Sequence, residues 1–282
     1  MRIAISAEST NDLPKELIEK VDLKVVPYNI VTKNGEFKDG EMSVEDLFKL
    51  VDETKVLPKT NAINEYEYTE YFEGLRKEYD AVIHICLSSG LSSSCGNAER
   101  AAKNVKDVYI VDSLSLSTGI GLLVLYAKKL VDQGVEPKEI VQMLNDRREK
   151  IQASFVIERL DYLYKGGRCN SLQLLGANIL KLRPRIVVKN GKMSSDKKYR
   201  GTMDKVVNKY CEETLAEFDT PDLENVFITF TTATEQMKDI ARKALEEMGF
   251  KNIYEAAAGC TVASHCGANT LGVIYINDGG IN

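Results

Sequence analysis

The sequence predicts an α/β protein with two domains: an N-terminal Rossmann-like domain on a parallel sheet, and a C-terminal α/β domain with a mixed sheet. Strand-like and helix-like patterns alternate through the first half, which is typical of a parallel sheet with helices on both faces. The second half contains Asn190-Gly191, a strong hairpin signal, among helical patterns. The polar helical pattern at Pro137–Lys150 places the boundary near residue 150. The predicted domains are therefore residues 1–150 and 151–282.

The first half opens with a short buried strand, followed by an amphipathic helix that begins near Asp12-Leu13-Pro14, where proline suits the first turn. Ser43 is a predicted N-cap, because acidic residues and then apolar residues at helical spacing follow it. The predicted elements are, in order, strand Arg2–Ser6, the helix from Asp12, strand Leu23–Val31, the helix from Ser43, helix Asn64–Lys77, strand Asp80–Leu87, helix Ala98–Ala102, strand Val108–Val111 and helix Ser117–Val131.

The second half is less regular. Two β-type runs flank the hairpin signal, and an apolar helix is expected to stop before Pro184. The predicted elements are, in order, helix Pro137–Lys150, strand Ala153–Glu158, a turn at Lys165–Arg168, helix Leu172–Leu182, strands Arg185–Val188 and Lys192–Ser195, helix Thr202–Phe218, strand Val226–Thr231, helix Glu235–Met248 and strand Gly272–Ile276.

The composition is that of a soluble globular protein, with 282 residues of which 44% are apolar and 28% charged. The net charge of −5 indicates no general attraction to nucleic acid or anionic lipid. The longest apolar stretch, Ile120–Ala127, is too short to cross a bilayer, which takes about 20 residues. The first residues run straight into a strand and lack the pattern of a signal peptide, so a cytoplasmic location with six free cysteines is expected.

The chain has two histidines, which receive different interpretations. His84 lies inside an apolar run and is predicted to be a core or edge-strand histidine. His265 lies in a small, polar segment that is interpreted as a loop before the last strand, where functional residues concentrate. Cys260 and Cys266 flank His265. Their spacing matches no standard pair of zinc ligands and a structural site needs four ligands, so no metal is expected.

The serine-rich segment Ser88–Ser94 is a candidate anion site, because it follows a predicted strand and precedes a helix. Hydroxyls and free backbone N–H groups at a helix N-terminus favour an anion, and five serines exceed what a plain N-cap turn needs. The chain has neither a P-loop nor a GxGxxG after a strand, so a carboxylate fits better than a nucleotide phosphate. Cys95, just past the turn, is an alternative nucleophile with His265 as base, although no hydrolase signature supports it.

Three further short motifs carry candidate residues. Thr60 lies in Lys59-Thr60-Asn61, a predicted loop between two helices. Gly166-Gly167-Arg168 combines tight turning with a guanidinium fork that can hold an anion. Arg200-Gly201-Thr202 is similar, and Thr202 is the predicted N-cap of the next helix. For both arginines the alternative is a solvated surface side chain.

Together these segments resemble the DegV family of bacterial fatty-acid-binding proteins, in order and nearly end to end. The matching segments are Glu8–Pro14, Pro58–Thr60, Leu87–Ser92, Val111–Ser113 followed by Gly119–Gly121, Leu160–Arg168, Arg200–Thr202 and Ser264–Gly267.

The resemblance implies a palmitate-like fatty acid in a cleft between the two α/β domains, and no other cofactor. It implies that Thr60 and Ser92 hold the lipid carboxylate, that His265 and Arg168 complete the polar end, and that Arg200 lies near the head group and a kinase partner. The protein would then be a lipid carrier and not an enzyme. It would present the acid to a separate ATP-dependent kinase for acyl-phosphate formation, with transient membrane contact allowed and no role for nucleic acid.

The chain departs from the family pattern at several positions. Asn61-Ala62-Ile63-Asn64 follows Thr60, where the family usually has Ser-Gln-Pro-Ser, and Glu8 stands where Asp is common. A second hypothesis is a small-molecule enzyme that uses His265, either a Cys/His acyl hydrolase or a subunit related to dihydroxyacetone kinases. A third is a regulatory module without a ligand. A long apolar cleft would favour the carrier, and a small polar pocket beside His265 would favour the enzyme.

Overall fold

The computed structural model describes residues 1–169 and 182–280. The predicted helix Leu172–Leu182 lies outside these residues, apart from its last position. Within them the chain forms a parallel sheet, a small antiparallel sheet and a mixed sheet. The predicted α/β class, with one parallel and one mixed sheet, is confirmed.

The strands are numbered along the chain, and most lie within two residues of the predicted bounds. They are β1 Ile3–Glu8, β2 Lys24–Val26, β3 Asn29–Thr32, β4 Gly35–Lys38, β5 Lys59–Asn61, β6 Ala81–Cys86, β7 Val108–Asp112, β8 Ile151–Val156, β9 Arg183–Lys189, β10 Lys192–Tyr199, β11 Asn225–Phe230, β12 Asn252–Ala257 and β13 Leu271–Ile276.

Two helices of the first half begin at residues whose side chains cap the first turn. The Ser43 hydroxyl accepts a hydrogen bond from the N–H of Asp46, and Asn64 forms a capping box with Glu67. The helices are α1 Lys15–Val21, α2 Val44–Thr54, α3 Glu65–Arg76, α4 Ser94–Ala102, α5 Thr118–Asp132, α6 Pro137–Arg148, α7 Leu160–Gly166, α8 Met203–Glu217, α9 Glu235–Met248 and α10 Cys260–Cys266. None of these described helices is both long and apolar enough to span a membrane.

The parallel sheet has the strand order β2-β1-β6-β7. All six residues of β6 are buried, as expected for a strand covered on both faces. Ala7 of β1 lies opposite Ile85 of β6. Because carboxyl ends of parallel strands share one edge, Glu8 lies beside Leu87, where β6 gives way to the serine-rich turn.

The small antiparallel sheet corrects two predictions. The run Leu23–Val31, predicted as one strand, divides into β2 in the parallel sheet and β3 in the small sheet. Thr60, predicted in a loop, lies in β5 and pairs with Ile30 of β3. The reason is tertiary, since a three-residue strand has little local signal and exists through its pairing.

The mixed sheet has the order β10-β9-β8-β13-β11-β12 and includes the predicted hairpin at Asn190-Gly191. β12, which pairs parallel to β11, had no counterpart among the predicted strands. Two predicted non-helical segments are helical. α7 extends to Gly166, so that the predicted turn begins only at Gly167, and His265 lies in α10 and not in a loop.

α5 lies between the parallel and mixed sheets, which explains its apolar sequence. Ile120, Leu123 and Val124 are fully buried and belong to a core cluster that also includes Phe155 and Ile274 of the mixed sheet. Since one cluster joins both sheets, burial of α5 fixes their relative position. The division into domains at residue 150 stays a prediction.

Candidate ligand-binding site

A cavity of about 400 Å³ lies between the parallel-sheet half and the mixed-sheet half. Residues from both halves line it, and its wall combines apolar with polar side chains. The lining residues are Thr10, Tyr28, Thr60, Asn61, Ala62, Leu87, Leu91, Ser92, Ser93, Leu116, Arg168, Met193, Thr261, Val262, His265 and Cys266. Four of the five predicted site residues therefore meet at one cavity, although they are far apart in sequence. Arg200 is exposed and does not line it.

Ser92 is placed to donate a hydrogen bond into the cavity. Its oxygen accepts the Tyr28 hydroxyl at 3.0 Å and the N–H of Ser94 at 3.2 Å. A hydroxyl has one proton and two acceptor positions, so both acceptor positions of Ser92 are occupied. The remaining proton is free for an acceptor on a ligand, such as a carboxylate oxygen.

Thr60 and His265 form a second polar pair across the cleft. The Thr60 Oγ1 and His265 Nε2 atoms are 2.9 Å apart, joining β5 to α10. With the proton on Nε2, the imidazole donates to Thr60 and leaves the Thr60 hydroxyl proton for a bound anion. The arrangement presents Thr60 and Ser92 as two donors at one cavity.

Burial and the nearby charge of Arg168 lower the pKa of His265 to about 4. The imidazole is therefore neutral near pH 7. A bound carboxylate would oppose both effects, since a negative charge beside the ring favours its protonated form. Without a ligand, His265 is thus a neutral hydrogen-bond donor. A bound carboxylate would raise the pKa of the imidazole and so favour its protonation.

Two glycines at the end of α7 allow His265 its position. A Cβ atom on Gly166 would lie 2.6 Å from His265 Nδ1, so any larger residue would displace the ring. Gly167 has φ of +70°, a left-handed conformation that ends the helix. Gly166 therefore allows the close approach of His265, and Gly167 allows the turn that ends the helix.

Arg168 lies at the rim of the cavity. Its guanidinium donates to the Gly166 carbonyl at 2.6 Å and to the Leu91 carbonyl at 3.5 Å, connecting α7 with the serine-rich turn. Arg168 is exposed, and its positive charge also lowers the pKa of the buried His265. It can attract an anion and still point toward solvent.

Sequence reasoning did not single out three hydroxyl side chains of the cavity wall, those of Tyr28, Thr10 and Thr261. Tyr28, which holds Ser92, lies between two short strands without a motif. The hydroxyls of Thr10 and Thr261 are buried and have no hydrogen-bond partner within the described ranges 1–169 and 182–280. A signal for Thr10 was available, since it lies in the matched segment Glu8–Pro14. Thr261 could be found only through the helix that carries His265.

The cysteines do not form the alternative nucleophilic site. Cys95 is only 1% exposed and is not a cavity-lining residue. Cys266 lines the cavity, but burial raises its pKa to about 12 and keeps it a thiol, which is a weak nucleophile. All six cysteines are buried, and no disulfide joins them in the part of the chain that the structure describes.

A family model described as "Uncharacterised protein, DegV family" matches residues 2–278. The chain is 30% identical over 279 residues to a DegV domain-containing protein of Caldanaerobacter subterraneus, covering 97% of this chain and 98% of that protein. It is 28% identical over 281 residues to a protein of Thermotoga maritima named "Fatty acid-binding protein", covering 96% of each. It also resembles the crystal structure of DegV, a fatty acid binding protein from Bacillus subtilis, with a TM-score of 0.86, 25% identity, and coverage of 99% of this chain and 100% of that one.

Proposed function

The chain belongs to the DegV family, and from this premise we propose that it binds one long-chain fatty acid in the cavity between its two halves. Two of the relatives described above, from Thermotoga maritima and Bacillus subtilis, are named for binding a fatty acid. The observation that carries the proposal is the Ser92 hydroxyl, whose acceptor positions are filled and whose proton has no acceptor among the described residues, in a cavity that also has apolar lining residues.

The acyl tail supplies most of the affinity in this proposal. About 15 buried carbons at about 0.8 kcal/mol each give roughly 12 kcal/mol as an upper bound. The apolar residues that line the cavity for such a tail include Leu87, Leu91, Leu116, Met193 and Val262. The polar groups fix which end of the acid lies at the mouth.

The carboxylate lies at Thr60 and Ser92, with His265 and Arg168 completing the polar end. Each hydrogen bond to a charged carboxylate contributes about 1.5–3 kcal/mol, which is enough to orient the acid. Arg168 at the rim adds positive charge where a carboxylate would enter.

We also propose that the protein presents this carboxylate to a separate ATP-dependent kinase, which forms the acyl phosphate. Support comes from the placement of the polar end: Arg168 is exposed at the mouth, and Arg200 is an exposed cation available to a partner protein. The proposal is tested by acyl-phosphate formation from palmitate and ATP with a candidate kinase, in the presence and absence of this protein.

Binding itself is tested by extracting lipid from the purified protein, which should give about one acyl chain per polypeptide. Ser92→Ala and Thr60→Val should each weaken palmitate binding by about 5–150-fold, because each removes a donor to a charged group. Ser89→Ala is the matched control, since Ser89 lies in the same turn but is exposed and outside the cavity. Affinities of both site variants equal to that of Ser89→Ala would place the carboxylate elsewhere.

A further inference from the structure

A buried hydrogen-bonded chain lies behind Ser92 and ends at Glu8. The carboxylate of Glu8 accepts the Tyr68 hydroxyl at 2.8 Å on one oxygen and the N–H of Leu87 at 2.7 Å on the other. The Tyr68 hydroxyl also lies 2.7 Å from the Ser94 hydroxyl. Ser94 in turn donates its backbone N–H to the Ser92 oxygen, at 3.2 Å. Glu8 is thus connected to both ends of the serine-rich turn.

The direction of donation along this chain is determined by proton count. Tyr68 has one hydroxyl proton, which it gives to Glu8, so the contact with Ser94 is made by the Ser94 proton. The hydroxyls of Ser94 and Tyr68 therefore both donate in the direction of the Glu8 carboxylate. A neutral amide at position 8 could not accept on both sides, because one of its two ends carries hydrogen.

Glu8, His84 and Cys86 also have potential metal-ligand atoms within 4.8 Å of one another. Three ligands fall one short of a structural zinc site, and both Glu8 oxygens already have hydrogen-bond donors. Within the described residues, the hydrogen bonds of Glu8 to Tyr68 and Leu87, and of His84 to Ser6, explain the positions of these side chains without a metal ion.

We propose that Glu8 is a positioning residue of the fatty-acid site, holding the serine-rich turn through Leu87 and the Tyr68–Ser94 contact so that Ser92 presents its proton to the carboxylate. This inference rests on the proposed function. Glu8 is fully buried, and the Tyr68 hydroxyl and Leu87 N–H that it accepts are neutral donors, so the ionised side chain is costly to bury. Its position therefore depends on the donors of the turn that it organises.

Four titratable groups around Glu8 keep one protonation state near neutral pH, whereas Glu8 itself changes protonation there. His84 has its pKa lowered to about 3 by burial, while burial raises the pKa values of Tyr28, Tyr68 and Cys86 far above neutral. Cys95, from α4, approaches through its contact with Cys86. Burial raises the pKa of Glu8 itself to about 7.

The experiment compares palmitate affinity in the wild type, Glu8→Gln and Tyr68→Phe, at pH values about 1.5 units on either side of the Glu8 pKa of about 7. Tyr71→Phe is the matched control, because its hydroxyl lies on the same helix but contacts Ser6 and not Glu8. At the higher pH, Glu8→Gln should bind palmitate about tenfold more weakly than the wild type, and Tyr68→Phe severalfold more weakly. At the lower pH the Glu8→Gln and wild-type affinities should converge.

Hexadecanol has the same tail as palmitate and no carboxylate. Its affinity therefore distinguishes a change in the position of Ser92 from a general disturbance of the cavity. Both variants should bind it like the wild type, and Tyr71→Phe should match the wild type for both ligands. Wild-type palmitate affinities in both variants, or equal losses for acid and alcohol, would overturn the inference and leave the proposed function standing. A wild-type protein that binds no palmitate would overturn both. If Glu8→Gln fails to fold, Tyr68→Phe decides the matter by the same comparison.

Discussion

Replacing Gly166 by alanine tests whether the position of His265 matters for the site. The added Cβ would lie 2.6 Å from His265 Nδ1, against about 3.4 Å for an ordinary contact, so the ring or the end of α7 must move by roughly 0.8 Å. Such a movement disturbs the 2.9 Å contact between His265 Nε2 and Thr60. Loss of one hydrogen bond of about 1 kcal/mol corresponds to roughly fivefold weaker palmitate binding.

The measurement combines a palmitate titration with proton NMR of the imidazoles, which is simple because the chain has only His84 and His265. The His265 resonance should shift in Gly166→Ala, and the His84 resonance should stay in place. Gly74→Ala is the control, since nothing lies within 4 Å of its added Cβ and alanine in α3 should stabilise the protein by about 0.5–1 kcal/mol. An unchanged His265 resonance together with wild-type affinity would refute the reasoning from this close contact.

Two further predictions concern stability. The pKa of Glu8 is raised from 4.5 to about 7, so its contribution is fully present below pH 4.5 and is lost as the pH rises through about 7. The unfolding free energy of Glu8→Gln, measured in urea, should therefore rise by roughly 3 kcal/mol relative to that of the wild type as the pH goes from below 4.5 to above 7. A difference between the two proteins that stays constant across that range would contradict this prediction. Gly90→Ala should lose about 1–3 kcal/mol, because its Cβ would lie 2.4 Å from the Gly191 carbonyl oxygen and push the hairpin turn off the serine-rich turn. Unfolding of Gly90→Ala at the wild-type urea concentration would show that this contact is not tight.

Much of the fold was predictable because its signals are local. Ser43 and Asn64 begin helices through hydrogen bonds to residues three positions later, so the cap and its partner are read together. Asn190-Gly191 adopts positive φ at both positions and joins β9 to β10 as the dipeptide predicts. The buried run at β6 predicts a strand covered on both faces, and its neighbours β1 and β7 are parallel to it.

α10 shows why the helix carrying His265 was interpreted as a loop. The helix has seven residues, and its first N–H groups are bound by Asp39, which lies 221 positions before Cys260. A short helix has too few internal hydrogen bonds to be stable alone, so a distant carboxylate and burial determine it. No window of sequence around His265 contains that information.

The residues of the candidate site also differ in whether the sequence alone could identify them. Family resemblance identified Thr60, Ser92, Arg168 and His265 by residue type and order, and the structure places these four at one cavity. The resemblance could not identify Tyr28, whose role depends on a 3.0 Å hydrogen bond to Ser92, 64 positions along the chain.

Local sequence signals were enough to predict the α/β class, most helix and strand positions, the hairpin and the kinds of side chain available for an anion. These depend on periodicity, caps and turn residues, which act over a few positions. The tertiary structure alone decided that β5 exists, that His265 is helical, and that Glu8 connects to the serine-rich turn at Leu87, 79 positions along the chain. The physical reason is that short elements and buried polar groups are stable only when distant parts of the chain supply their hydrogen-bond partners and remove them from water.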